Sequence, residues 1–317
     1  MNQPVKMVFL DAVTVEPVDN LAEISSLGEY TGYPATPPAR RIERIRGHNV
    51  VITNKVGIDR EVLDACPEVE LVCIVATGMN NVDLDYAAQK GVAVKNVAGY
   101  STESVTQCTF AMLFYLLNAS RYYDDFVKSG RYAASPVFTH LGRKFHELAG
   151  LQFGIIGMGA IGRRVADVAS AFGARVAYTS TSGKNLDVPG YACLPLEDLL
   201  GRSDIVSIHC PLNDRTRNLL SESRLALMKP TAYLLNMGRG GIVDEAALAR
   251  LLDRDRLAGA ALDVLSSEPI AAASPLLSVR NPEKLYITPH IAWASVEARR
   301  RLISCTARNI QSHFSGA

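Results

Sequence analysis

The sequence predicts an α/β protein made of two doubly wound parallel sheets, each carried by its own domain. Three observations lead there. Short apolar runs alternate with helical patterns through the first hundred residues. A second series of the same kind begins at Leu151. The length of 317 residues, at roughly 100–200 residues per domain, suggests about two domains. Strands that alternate with helices point to a parallel sheet with helices on both faces.

In the first series VKMVFL, NVVIT, LVCIVA and VAVKN read as buried strands. LVCIVA is apolar throughout, as a central parallel strand buried on both sides should be. Between the strands, LAEISSL, ARRIERIRG, REVLDAC and LDYAAQKG read as helices. A long helical pattern follows from Ser101 to Lys128. Ser101 or Thr102 ahead of Glu103 resembles a capping sequence. The Ser101–Leu117 stretch is too apolar for a lone surface helix, which suggests an interdomain or subunit contact. Gly130 to Gly150 is irregular and reads as a connection. In the second series QFGIIG, ARVAY, IVSIH, TAYLLNM, LAGAAL and LYITP are the strands. AIGRRVADVASAFG, LEDLLGRS, ESRLALM, DEAALARLLDRDR and the terminal VEARRRLISCTARNIQSHF are the helices.

Composition narrows the function classes. Lys plus Arg is 33 against 32 Asp plus Glu, a net charge of +1. No basic excess exists to hold a phosphate backbone, so nucleic acid is not the expected partner. No run of about 20 apolar residues occurs, so no membrane span is expected. The six cysteines form no CxxC pair, and several sit in apolar runs. They read as buried thiols of a cytoplasmic protein, with no metal site.

The most informative stretch is FGIIGMGAIG, in which Gly157, Gly159 and Gly162 form GxGxxG between a strand and a helix. Gly157 permits the tight turn, Gly159 lets backbone approach a pyrophosphate, and Gly162 lets helix and strand pack closely. The pyrophosphate would lie over Met158, Ala160 and Ile161 at the helix N-terminus, where free N–H groups favour an anion. A site for unphosphorylated NAD usually places Asp or Glu about 20 residues on, against the ribose hydroxyls. Here the second strand ends ARVAYTSTSGKN, with Ser180 in the acid's place and Thr181 and Lys184 close by. No carboxylate would repel a 2′-phosphate, which leans the reading toward NADP over NAD, although no Arg follows the strand.

Three more motifs follow strands downstream. LLNMGRGGIVDEAAL carries Arg239, ALDVLSSEP carries Asp263 and Glu268, and ITPHIAWAS carries His290 and the only tryptophan, Trp293. Ligands of open parallel sheets bind outside the carboxyl ends of strands, so Arg, Glu and His are expected to converge beside a nicotinamide. Singly, each has a structural reading: a surface cation, a turn cap, a loop histidine. Together, in this order behind GxGxxG, they are far more specific.

In these residues the chain resembles the D-isomer-specific 2-hydroxyacid dehydrogenases. The resemblance rests on GIIGMGAIG, HCPLNDRTRNLLS, LLNMGRGGIVDE, ALDVLSSEP and ITPHIAWA. ATGMNNVDL, NVAGYSTESVTQ and TPHIAWA look most like the hydroxypyruvate reductase (glycerate dehydrogenase) branch. The resemblance implies that His290 is the acid/base, that Glu268 bonds its imidazole, and that Arg239 binds the substrate carboxylate. It implies that Asp263 holds the nicotinamide carboxamide. Thr106, the loop of His209, Cys210 and Pro211 with Thr216, and Asn236, Met237 and Gly238 match cofactor contacts. Ala76, Thr77 and Gly78 match a loop whose amides bind substrate, with Lys55 and Trp293 as further substrate-side residues. The family fold implies a Rossmann cofactor domain over 100–289. A flavodoxin-like substrate domain over 1–99 and 290–317 completes it, with a cleft between the two. It also implies a homodimer formed through the cofactor domain. The expected activity is interconversion of a small 2-keto acid and a D-2-hydroxy acid. The alternatives are a phosphoglycerate dehydrogenase or a dinucleotide-sensing, corepressor-like binding protein.

Overall fold

A computed structural model describes residues 5–315. The chain divides into two compact units, one up to Ser101 and resuming at Ala294, the other from Thr102 to Trp293. His290 to Trp293 therefore fall with the second unit, whereas the sequence reading opened the returning segment at His290.

The first unit holds a five-stranded parallel sheet: β1 (Lys6–Phe9), β2 (Glu29–Gly32), β3 (Val50–Thr53), β4 (Leu71–Ile74) and β5 (Ala93–Lys95). Their order is β2-β1-β3-β4-β5. Helices α1 (Ala22–Ser25), α2 (Arg41–Ile45), α3 (Arg60–Ala65) and α4 (Leu84–Gln89) connect them. Every residue of β3 and β4 is buried, which explains the unbroken apolar runs. β2 was not expected: EYTG is an exposed edge strand without an apolar run to betray it. Strand order reverses between β1 and β3, the place where ligands of such sheets bind. Buried Asp11, just past β1, spans that point and accepts N–H groups from Asn54 (2.9 and 3.1 Å) and Lys55 (2.7 Å).

The second unit opens with α5 (Thr102–Leu117) and α6 (Ser120–Lys128), then builds seven parallel strands. These are β6 (Gln152–Ile156), β7 (Arg175–Thr179), β8 (Ala192–Cys193), β9 (Ile205–Ile208), β10 (Tyr233–Asn236), β11 (Gly259–Leu262) and β12 (Leu285–Ile287). The order is β12-β11-β10-β9-β6-β7-β8. Helices α7 (Ala160–Ala171), α8 (Leu196–Arg202), α9 (Glu222–Leu225) and α10 (Glu245–Asp253) link the strands, and α11 (Val296–Phe314) closes the chain in the first unit. Alternate residues feed two cores, one on each sheet face: Ile156, Val206 and Leu234 on one, Phe153, Ile155 and Leu235 on the other. Both units thus carry the doubly wound parallel sheets that the sequence predicts.

The expected 101–128 helix is two helices. Ala119 takes a left-handed conformation (φ 48°) and breaks it between α5 and α6. Aromatic side chains of α5 pack inside its own unit. Phe110 packs 6.0 Å from the Phe153 ring and 5.8 Å from Phe172, and Tyr115 stacks on Tyr286 at 4.3 Å. Two strongly exposed apolar side chains lie further on, in the connection, where Phe138 is 90% and Leu141 83% exposed.

Candidate active site

β6 sits between β7 and β9, so the order of the second sheet reverses at β6. The glycine turn leaves the carboxyl end of β6 at that point, and His209 leaves the end of β9 beside it. Gly157 has φ +96°, and a Cβ there would stand 2.9 Å from the Cys210 backbone nitrogen. A Cβ on Gly162 would lie 2.2 Å from the Gly157 carbonyl oxygen, so α7 could not seat against the turn. Gly159 is different: a Cβ would meet nothing within 4 Å, and it leaves open space over the turn. Helices α3, α4, α10 and α11 begin with Asp or Ser side chains capping their amides. Helix α7 begins at Gly159 with no side-chain cap, leaving first-turn N–H groups for an anion. A dinucleotide pyrophosphate fits this cradle.

Two enclosed polar atoms flank it without a partner among the described residues: Ser180 Oγ after β7 and His209 Nδ1 after β9. The His209 ring meets Ser207 Oγ at 2.8 Å through Nε2, and burial pushes its pKa down to about 3. Cys210 lies under Gly157 against the Thr181 side chain, and burial raises its thiol to about 11. Thr216 braces this loop, donating to the Pro211 carbonyl (2.6 Å) and accepting from the Asn213 amide (2.8 Å). The strand-end loop beyond Ser180 folds back over the glycine turn. Asn185 Nδ2 donates to the Met158 carbonyl (3.1 Å), and Asn185 Oδ1 accepts from Arg163 Nη2 (3.4 Å). The sequence reading passed over Arg163 because it sits on α7 and not after the second strand.

Arg239 occupies the turn after β10. Asn236 shapes that turn, donating to the Arg239 carbonyl (2.9 Å) and accepting the Gly238 amide (3.1 Å). Buried Met237 and Gly238 complete it, and a Cβ on Gly238 would stand 2.7 Å from the Cys210 carbonyl. A Cβ on Gly240 would fall 1.8 Å from the Leu265 carbonyl, so the Arg239 turn lies directly against the turn that leads to Glu268. Among the described residues no carboxylate pairs with Arg239, whose Nη1 donates to the Gly238 carbonyl (2.8 Å).

Glu268 and His290 are in contact: Glu268 Oε2 stands 2.7 Å from His290 Nδ1. Glu268 Oε1 accepts the Leu265 amide (2.9 Å), which fixes the carboxylate from behind. The imidazole is therefore oriented through Nδ1, and Nε2 is the nitrogen left to face a ligand. His290 itself is left-handed (φ 56°), an unusual conformation for a residue with a Cβ. Buried Asp263 holds it there. Its Oδ1 accepts from Thr288 Oγ1 (2.6 Å) and the Ile291 amide (2.8 Å), and its Oδ2 from the Ala292 amide (3.0 Å). The His290 amide returns to the Asp263 carbonyl (2.8 Å), and Trp293 Nε1 donates to the His290 carbonyl (2.9 Å). The sequence marked Asp263 as a ligand contact; its brace on the histidine turn emerges only in three dimensions.

Thr106 is not brought to this group by any bond of its hydroxyl, which donates to the Thr102 carbonyl (2.8 Å) within α5. In the first unit, Ala76–Gly78 form the turn after β4, tied by the Val97 amide to Ala76 (3.1 Å) and by Thr77 Oγ1 to the Val97 carbonyl (3.2 Å). Lys55, exposed, follows β3.

The chain is similar to known proteins. The sequence profile of the D-isomer specific 2-hydroxyacid dehydrogenase NAD binding domain matches residues 110–292. The hydroxypyruvate reductase of Blautia hydrogenotrophica is 34% identical over 317 residues, covering 98% of each chain. The glycerate dehydrogenase of Methylorubrum extorquens is 33% identical over 313 residues, covering 98% of this chain and 96% of its own. Among solved structures, an acyclic imino acid reductase in complex with NADPH and D-Arg is 27% identical. It superposes with a TM-score of 0.88 over 98% of both chains. With the glycine turn at the strand-order reversal and the Glu–His pair beside the arginine turn, these matches show that the chain belongs to the D-isomer-specific 2-hydroxyacid dehydrogenase family.

Proposed function

We propose that the protein reduces hydroxypyruvate to D-glycerate or glyoxylate to glycolate, with NADPH preferred over NADH. The Glu268–His290 pair carries this reading: a carboxylate 2.7 Å from Nδ1 leaves Nε2 to exchange a proton with substrate. The nicotinamide, when bound, supplies hydride to the carbonyl carbon. Protonated His290 donates to the carbonyl oxygen as negative charge grows there, a role typically worth about 10²–10⁴ in rate. Glu268 stabilises the imidazolium and fixes its orientation. Arg239, with no carboxylate of its own, offers a planar fork to the substrate carboxylate and stabilises the developing oxyanion.

The amides of Ala76, Thr77 and Gly78, with Lys55, are the substrate-facing groups of the first unit, and Trp293 is that of the second. Gly157, Met158, Gly159, Ala160, Ile161 and Gly162 receive the pyrophosphate. Ser180, Thr181 and Lys184 receive the adenosine ribose end. His209 to Pro211 and Asn236 to Gly238 frame the nicotinamide end, with Asp263 Oδ2 keeping one lone pair for the carboxamide. The absence of an acid between Thr179 and Asn185 supports the NADPH preference. A homodimer is the assembly we favour, and the exposed Phe138, Leu141 and Phe145 support it. We place the protein in the cytoplasm, in keeping with six cysteines that are all unpaired.

Arg239→Ala tests the assignment. Turnover should fall by about 10³ or more, the order expected when a residue both binds substrate and stabilises charge, while NADPH binding is kept. Retained turnover with a normal KM would reject the role.

A further inference from the structure

The loop after β7 carries more than its sequence reveals. It runs Ser180-Thr181-Ser182-Gly183-Lys184-Asn185 and lies over the glycine turn, where Asn185 Nδ2 grips the Met158 carbonyl at 3.1 Å. The other end of the same amide meets Arg163 Nη2 at 3.4 Å. That bond is long, and a guanidinium has five N–H donors, so most of its capacity is unused. Its neighbour Arg164 is committed elsewhere, to both oxygens of Glu103 at 3.0 and 3.1 Å. Among the described residues, neither Arg163 nor Lys184 pairs with a carboxylate. Asp187, the next acid along this loop, forms an ion pair with neither. At the start of the same loop stands Ser180, whose Oγ is enclosed and, among the described residues, without a partner.

Two unneutralised cations, a run of hydroxyls and an orphaned donor make a site for a dianion. A 2′-phosphate supplies one: it carries a charge near −2 and accepts hydrogen bonds at three oxygens. A plain ribose hydroxyl would leave the guanidinium idle. The pyrophosphate belongs at Gly159, where open space meets the uncapped amides, whereas Arg163 is tied to the second-strand loop. Building on the dinucleotide reading above, we propose that Arg163, aimed by Asn185, is the residue that selects a 2′-phosphorylated cofactor, with Lys184 and Ser180 completing its phosphate site. Asn185 is a positioning residue: it ties the guanidinium to the glycine turn, so the phosphate clamp and the pyrophosphate cradle move together.

Calorimetric binding of two fragments to the whole protein tests this without turnover: adenosine 2′,5′-bisphosphate and adenosine 5′-monophosphate. The wild type should bind the bisphosphate at least about 10-fold more tightly. Arg163→Gln should weaken the bisphosphate by about 10–100-fold, the loss of a charge-assisted pair, and leave the monophosphate within about 2-fold. Arg163→Lys should recover part of the preference, and Asn185→Ala should lose part of it. Equal weakening of both fragments by Arg163→Gln would put Arg163 on the 5′-phosphate and overturn the proposal, as would no change in either. A wild type that binds both fragments equally would overturn the clamp together with the NADPH preference. Failure of NADPH and NADH alike to quench or enhance fluorescence would instead sink the dinucleotide reading itself.

Discussion

Replacing Asp263 with Asn separates two roles for one carboxylate. The side chain is 3% exposed and accepts three hydrogen bonds, from Thr288 Oγ1 and the amides of Ile291 and Ala292. An asparagine has one acceptor oxygen, so its NH₂ must face one of the two backbone N–H groups. The less costly orientation keeps oxygen toward Thr288 and Ile291 and turns NH₂ to the Ala292 amide. One charge-assisted bond is then lost, at about 1.5–3 kcal/mol, and an enclosed N–H is left unsatisfied, at about 1–3 kcal/mol. Allowing for partial relaxation, the sum is about 2–4 kcal/mol. For a unit of this size each kcal/mol shifts Tm by roughly 2–4 °C, so a fall of about 4–16 °C is expected. Scanning calorimetry of the cofactor-free protein reads it directly. Because His290 sits in the left-handed turn that these bonds hold, kcat should fall as well. If Asp263 served only a nicotinamide carboxamide, the cofactor-free Tm would stay within about 1 °C. Cofactor affinity alone would then drop, and the positioning argument would be refuted.

Three further outcomes follow from the geometry. Glu268→Gln removes the charge 2.7 Å from His290 Nδ1, and kcat for reduction should fall about 10–100-fold while NADPH affinity holds, read by steady-state kinetics beside a binding titration. Gly162→Ala puts a methyl 2.2 Å from the Gly157 carbonyl, so nucleotide affinity should fall at least about 10-fold; unchanged affinity would show that the turn does not seat the nucleotide. His209 has its pKa lowered to about 3 by burial, against about 6.5 unfolded. The unfolded chain therefore binds the extra proton first as pH falls, and stability is lost from about pH 6.5 down toward 3. Between pH 7 and 5.5 this amounts to about 1 kcal/mol, which His209→Gln should abolish in urea unfolding at the two pH values.

Much of this was legible in the chain itself. A strand such as LVCIVA declares itself because a parallel strand buried on both faces leaves no polar positions. The glycine turn was readable because each glycine answers a separate steric need, and Gly162 and Gly157 do so through their contacts with each other and with Cys210. Edge strands were not readable: β2 is exposed and β8 only two residues long, so neither carries an apolar run. The break at Ala119 was missed because alanine favours helix and nothing local announces a left-handed residue. The apolar character of α5 was readable, but not that Phe110 and Tyr115 would meet Phe153, Phe172 and Tyr286 of the same unit. Arg163 and the brace made by Asp263 depend on contacts across 22 and 28 residues, which periodicity and spacing do not encode. Local pattern revealed the elements and the reactive groups; the groups that aim them were visible only once the turns had been brought together.

The most direct test of the central claim is the loss of reduced-nicotinamide absorbance when purified protein meets a 2-keto acid. Hydroxypyruvate, glyoxylate, pyruvate and 3-phosphohydroxypyruvate would each be paired with NADPH and with NADH. Rapid oxidation is expected with hydroxypyruvate or glyoxylate, faster with NADPH, and abolished in Arg239→Ala. Demonstrable cofactor binding with no turnover of any of the four acids would contradict it.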